Sequence, residues 1–491
     1  MFKKVLIANR GEIAIRISRT LRELGVASVA VFPDADRESL HIRYADEAIG
    51  LGADPRAYLD GERLVAAARA AGCDALHPGY GFLSENAEFA ELALAAGIAF
   101  IGPPPSAIRT MGSKERARAA MAAAGVPVVP GGGARTLDEA RATAASVGYP
   151  VMVKATDGGG GKGMRLVQSE ADLASALERT QSEAAKAFGN GNVYIEKALE
   201  RPRHVEVQVL GDRAGRVVHL FERDCSLQRR HQKIVEETPC PVLDPKTREA
   251  LCAVAVQGAR SLGYYSAGTF EFLLDPSGSF YFLEMNTRLQ VEHPITELVT
   301  GIDLVREMVG IAAGEPLTVE PEARGFALEA RLCAEDPARG FAPSPGRIES
   351  LVTAAGPGVR DDSGIDTGSV VSPHYDPLLA KLAVWAPTRA QALARLRRAL
   401  GETVITGIDT NVAFLERLLA TPEVAAGAYD TGFVERHAAA LVAATGAPDD
   451  ALLAAAAAVM ASLSGAEANA TEPEGTLSPW VALERAERLG R

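Results

Sequence analysis

The chain has 491 residues, enough for two to four domains and a sizeable core. Hydrophobic residues make up 47%, charged residues 23%, and the formal net charge is −12, a soluble globular composition whose acidity argues against a general binder of nucleic acid or anionic membranes. No apolar run has membrane-spanning length, and none of the five cysteines forms a Cys-x-x-Cys pair, so buried reduced thiols are expected in place of zinc or a disulfide framework. Met1-Phe2-Lys3-Lys4 passes directly into a strand, which sets a cytoplasmic location as the expectation.

Val5 to Ala8 reads as a buried strand, Asn9-Arg10-Gly11 as a turn, and the next segment as a helix with Ile13, Ile17, Leu21 and Leu24 on one face. Ala27 to Phe32 is a second strand. This βαβ unit is of the dinucleotide-binding type, but its turn holds one glycine where the pyrophosphate fingerprint needs three, so NAD binding is not expected. Arg16, Arg19 and Glu23 share the polar side of the helix, as solvated charge or as a subunit contact. Further strands are expected at Ala75-Leu76 and Ala99 to Ile101, with loops at 77–82 and 102–105.

Val151 to Lys154 and Met164 to Val167 read as strands flanking Gly158 to Gly163. Glycine permits positive φ and close approach, so backbone amides there can surround phosphate oxygens. This is not a Walker loop, because Gly163 follows Lys162 and a strand follows the loop. It reads as a flap. Val193 to Glu196 and His204 to Val209 are further strand-like pieces. Glu222 to Lys233 is densely polar and suits local anion binding, with a solvated loop as the alternative.

Gly268 to Leu274 and Ser279 to Met285 read as a hairpin around Asp275-Pro276-Ser277-Gly278. If Leu274 pairs with Ser279, Glu271 and Glu284 become diagonal neighbours on one face, a separation that lets two carboxylates share cations. A bulge would separate them. With Asn286 they offer only oxygen ligands, which favours Mg²⁺ or Mn²⁺ over zinc. Together with Lys154 and the glycine flap, this points to ATP-dependent chemistry. From Glu284 to Glu292, polar and apolar residues alternate. Glu284, Asn286, Arg288, Gln290 and Glu292 would line one face if the stretch stays extended.

Taken together, these segments resemble biotin carboxylase, of the ATP-grasp superfamily, over roughly residues 1 to 443. The resemblance rests on Ile7 to Ala14, His77 to Asn86, Lys154-Ala155 with Gly158 to Arg165, Arg229 to Lys233, and Glu284 to Pro294. It implies α/β and α+β architecture. The divisions are an N-terminal Rossmann-like domain (1–112), a helical connector (113–128), an ATP-grasp lid with the glycine loop (129–203), an ATP-grasp core (204–330), a C-terminal biotin carboxylase domain (331–443) and a tail (444–491).

The implied reaction is ATP-dependent activation of bicarbonate to carboxyphosphate, followed by carboxylation of biotin. Lys114, Lys154, Glu196, Lys197, Leu199, His204, Gln228, His231 and Leu273 match nucleotide contacts, with Gly160, Gly161, Lys162 and Gly163 closing over the phosphates. Glu271, Glu284 and Asn286 match ligands of two Mg²⁺ or Mn²⁺ ions. Lys233, Arg288, Gln290 and Val291 match the bicarbonate site, and Glu292 the base, kept ionised by nearby Arg288. Arg331 would stabilise the biotin enolate. Asp376 matches a further active-site position. Arg16, Arg19 and Glu23 match a homodimer contact. The implied partners are a biotin carboxyl carrier protein and carboxyltransferase subunits, with no nucleic acid and no membrane. Asp157 stands where some members have glycine, and is expected to point away from the phosphates.

Beyond residue 443, Ala451 to Leu463 reads as a helix, 464–478 as a linker and Ser478-Pro479-Trp480 as the start of a short helix. No Met-Lys dipeptide occurs, so the biotin acceptor is expected on a separate chain, unless the sequence stops short of it. The alternatives are another ATP-grasp ligase of the carbamoyl or carboxylate–amine type, disfavoured by Arg230 to Lys233 and Arg331, and a silent scaffold, which would need broken site positions.

Overall fold

Short apolar runs at Lys4–Ile7 (β1), Ala27–Phe32 (β2), Glu47–Gly50 (β3), Ala75–His77 (β4) and Ala99–Phe100 (β5) build a parallel sheet of order β3-β2-β1-β4-β5. The order reverses between β1 and β4, and ligands of such sheets bind beyond the strand ends at that point. There the Asn9 amide donates to the carbonyls of Pro78 (2.8 Å) and Tyr80 (2.7 Å), tying the two loops together. Helix α1, Gly11–Glu23, buries Ile13, Ile17 and Leu21 against this sheet, as its spacing predicts. The computed structural model describes residues 1–155, 164–188 and 191–443. The glycine loop with its Asp157, and the tail from 444 onward, lie outside the described residues.

Helix α2, Lys114–Ala123, leads to a four-stranded antiparallel sheet. Its strands are Gly131–Ala134 (β6), Val151–Ala155 (β7), Met164–Val167 (β8) and Val193–Lys197 (β9), in the order β6-β9-β7-β8. Strand alternation splits the faces. Val151, Val153 and Ile195 pack with Ala140, Ala144, Leu173 and Leu177, while Met152, Lys154, Tyr194 and Glu196 line the cavity described below.

The largest sheet has eight antiparallel strands. These are Arg203–Gly211 (β10), Val217–Arg229 (β11), Gln232–Thr238 (β12), Ser266–Leu274 (β13), Phe280–Asn286 (β14), Phe326–Cys333 (β15), Val359–Ser363 (β16) and Leu378–Ala386 (β17). The order is β14-β13-β10-β11-β12-β15-β17-β16, so β15 carries the sheet across residue 330. Val205, Val207, Val209, Phe270 and Phe272 pack with Leu251, Cys252 and Ala255 of helix α3, Pro245–Ser261. The alternate residues of β10 and β13 are His204, Glu206, Gln208, Thr269 and Glu271. This polar row belongs to the other face.

The polar stretch from Glu222 to Lys233 is strand, not a solvated loop: it is the β11–β12 hairpin, with Glu222, Arg223, Asp224, Ser226 and Gln228 buried. The β13–β14 register also departs from expectation. Leu274 pairs with Phe280, and a bulge between Phe272 and Glu271 takes up Leu283, so that Glu271 faces Glu284 directly. The shift in register and the bulge together bring the carboxylates closer than a diagonal pair. The extended row ends at Asn286. A loop over 287–292 follows, and Glu292, at φ −80° and ψ 11°, flanks helix α4, His293–Thr300.

Candidate active site

A cavity of about 980 Å³ is lined by the β1 and β4 loops, the polar face of the lid sheet and the polar face of the eight-stranded sheet. Of the residues expected at the nucleotide site, Lys114, Lys154, Glu196, Lys197, Leu199, His204, Gln228, His231 and Leu273 all line it. So do Lys233, Glu271, Glu284, Asn286, Arg288, Gln290, Val291, Arg331 and Asp376. Glu292 is fully buried immediately behind this wall.

At the lid end, the Lys154 ammonium pairs with the Glu196 carboxylate. The Lys197 ammonium donates to the carbonyls of Gly148 (3.1 Å) and Tyr149 (2.9 Å). In the two-residue turn between Arg229 and Gln232, Arg230 and His231 have φ of +48° and +65°. Left-handed backbone costs a non-glycine residue roughly 1–2 kcal/mol, and such strain clusters at functional sites. The turn sets His231 on the cavity wall.

Deeper, the Lys233 ammonium donates to Glu206 (2.5 Å), Glu271 (2.8 Å) and Glu292 (2.6 Å). Burial opposes its charge, but these carboxylates hold its pKa well above the ordinary lysine value. Arg331 donates to Glu292 (2.9 Å) and Glu236 (2.6 Å). Burial alone would raise the pKa of Glu292; Lys233, Arg331 and Arg223 outweigh it and hold the group well below the ordinary carboxylate range.

Arg288 and Glu292 do favour each other's charge, as expected, but the cations bonded to Glu292 are Lys233 and Arg331. Arg288 bonds to Glu85 (2.9 Å), Asn286 (2.9 Å) and Gln290 (3.0 Å), because the chain leaves its extended course after Asn286 and turns that guanidinium toward the β4 loop. The polar groups still converge. Asn286 and Gln290 donate to Glu271 at 2.8 and 3.2 Å.

Burial and the facing Glu271 charge push Glu284 up, with Lys114 opposing them. A buried and a half-buried carboxylate held face to face beside an amide oxygen fit a hard divalent cation. Two other groups of described residues bring three ligand atoms together, His204/Glu206/Glu271 and Glu206/Cys225/Glu292. Every carboxylate of those two groups accepts from the Lys233 ammonium, whereas in the facing pair Glu271 does and Glu284 does not, so Glu271–Glu284 is the better fit.

Glu206, Glu236, Arg223 and Glu85 were not singled out from the sequence. Glu206 carried a usable signal, since His204, Glu206 and Gln208 repeat the alternation seen at Glu284. Arg16, expected with Arg19 and Glu23 at a subunit contact, is held by bonds within its own chain. Its guanidinium is buried and bonded to Glu297 and Asp303, both at 2.7 Å, because the helix face carrying it packs onto the chain's own 293–312 region. Arg19 and Glu23 remain exposed.

A nucleotide-sized cavity between a lid sheet and a carboxylate-bearing antiparallel sheet defines an ATP-grasp enzyme. Three family models cover most of the chain: biotin carboxylase, N-terminal domain (residues 1–108), carbamoyl-phosphate synthase L chain, ATP binding domain (113–320), and biotin carboxylase C-terminal domain (329–436). Biotin carboxylase of Nostoc sp. is 52% identical over 437 residues, covering 88% of this chain and 98% of that protein. The mitochondrial methylcrotonoyl-CoA carboxylase subunit alpha of Mus musculus is 52% identical over 436 residues, 87% of this chain and 61% of that protein. The biotin carboxylase domain dimer of Hydrogenobacter thermophilus 2-oxoglutarate carboxylase was solved with MgADP, ADP and bicarbonate. It superposes with a TM-score of 0.87 at 46% identity, covering 90% of this chain and 99% of that one. The chain belongs to the biotin carboxylase family. The flanking models set aside the carbamoyl-type alternative, which only the central segment resembles.

Proposed function

We propose that this chain carboxylates biotin with bicarbonate at the expense of ATP, and that its residues divide the work as follows. Lys114, Lys154, Glu196, the Lys197 backbone, Leu199, His204, Gln228, His231 and Leu273 hold the nucleotide. Glu271, Glu284 and Asn286 would hold Mg²⁺, which when bound would neutralise phosphate charge. Bicarbonate lies among Lys233, Arg288, Gln290 and Val291. Glu292 takes its proton, and the resulting oxyanion attacks the γ-phosphorus, giving carboxyphosphate and ADP.

Carboxyphosphate divides into CO₂ and phosphate. The phosphate removes the ureido proton of biotin, Arg331 stabilises the enolate, and the nitrogen attacks CO₂. A base as acidic as Glu292 works here because the cations that depress its pKa also favour the doubly charged product of deprotonation. The observation that carries this reading is the Lys233–Glu292–Arg331 cluster beside the facing Glu271 and Glu284.

A separate biotin carrier, carboxyltransferase partners, a homodimer using Arg16, Arg19 and Glu23, and a cytoplasmic location belong to the same reading. Independently, no described helix is long and apolar enough to cross a membrane. The test is incorporation of labelled bicarbonate into free biotin. ATP-dependent, acid-labile label on biotin is expected, and its absence would refute the assignment.

A further inference from the structure

We propose that Lys381 is a positioning residue for bicarbonate activation: its ammonium fixes the peptide bond that carries Glu292. The proposal rests on the reading of Val291 and Glu292 given above. Lys381 lies on β17, is fully buried, and donates from Nζ to the Val291 carbonyl at 3.0 Å. That carbonyl and the Glu292 amide belong to one planar unit, so holding the oxygen sets the direction in which the Glu292 side chain leaves the backbone.

The sheet register explains how the grip is built. Lys381 is the direct cross-strand partner of Arg331, and cross-strand partners share a face. Arg331 holds the Glu292 carboxylate at 2.9 Å while Lys381 holds the peptide before it. Two adjacent cations thus clamp one residue at both ends. Glu12, at the start of α1, pairs with Lys381 at 3.0 Å, and Asp362, its other cross-strand neighbour, lies 3.9 Å away. A buried ammonium is costly unless paired and hydrogen-bonded. Glu12 and Asp362 offset that cost, and the bond to the Val291 carbonyl is a further contact that ties the ammonium to the Glu292 peptide.

Lys381→Met alone leaves Glu12 buried and unpaired, and a folding defect would follow. The double variant Glu12→Gln/Lys381→Met removes both charges and keeps the volumes. It is compared with Glu12→Gln, which retains the bond to Val291. The assay is biotin-free, bicarbonate-dependent ADP release by the full chain. The double variant is expected to lose about 10–100-fold in kcat/KM for bicarbonate, with KM for ATP within about twofold and Glu12→Gln within about threefold of the parent. Three results would overturn the proposal: an unchanged bicarbonate parameter in the double variant, a parallel loss for ATP and bicarbonate, or an equal loss in Glu12→Gln. ADP release by the unmodified chain that ignores bicarbonate would instead sink the functional reading beneath it.

Discussion

Lys233 Nζ lies 2.6 Å from Glu292 Oε1, on the side of that carboxylate opposite to the one Arg331 holds. Both oxygens of the proposed base therefore accept a charge-assisted bond, and the group is stored ionised although it is fully buried.

Glu292→Gln removes the proton acceptor and keeps the shape. Bicarbonate-dependent ADP release is expected to fall by about 10²–10⁴-fold, while nucleotide affinity, read by equilibrium binding of a fluorescent ATP analogue, stays near that of the parent. Retained turnover would remove Glu292 from the base role.

Arg331→Ala takes away the donor assigned to the biotin enolate. Carboxylation of free biotin is expected to fall by about 10²–10³-fold. Steady-state kinetics with biotin as the varied substrate check this, and a change confined to KM for ATP would contradict it.

Glu284→Gln leaves the Lys233 cluster intact, because Glu284 takes no part in it. The half-saturating Mg²⁺ concentration for ADP release is expected to rise by at least about tenfold. An unchanged Mg²⁺ dependence would place the metal elsewhere.

His41 supplies a pH test away from the site. Burial pulls its pKa from 6.5 to about 4, with Asp36 opposing the shift. The unfolded chain then binds a proton below pH 6.5 that the native ring refuses, so this contribution to stability is present above pH 6.5 and is lost as pH falls to about 4. Relative to His41→Gln, the parent should lose on the order of 3 kcal/mol over that window. Denaturant midpoints at pH 7 and pH 4 measure the difference, and a constant gap would refute it.

Much of this site was legible because strand alternation is a local property. His204, Glu271, Glu284 and Asn286 sit on polar faces whose apolar counterparts, Val205, Phe270, Phe272 and Met285, fill the core. The register was not legible, since a one-residue shift and a bulge at Leu283 leave no mark in the alternation. The partner of Arg288 also depended on a turn after Asn286 that moves it toward Glu85, a residue about 200 positions earlier. Arg16 shows the same limit. An arginine on a helix face reads as exposed until the segment covering it, here 293–312, is placed. Family resemblance supplied the roles of Lys233 and Arg331, which alternation alone could not assign.

Bicarbonate activation at Glu292 is tested most directly by ADP release measured with and without bicarbonate, at saturating ATP and Mg²⁺. Removing bicarbonate is expected to abolish most of the release, and free biotin to stimulate what bicarbonate supports. Equal rates with and without bicarbonate would contradict it.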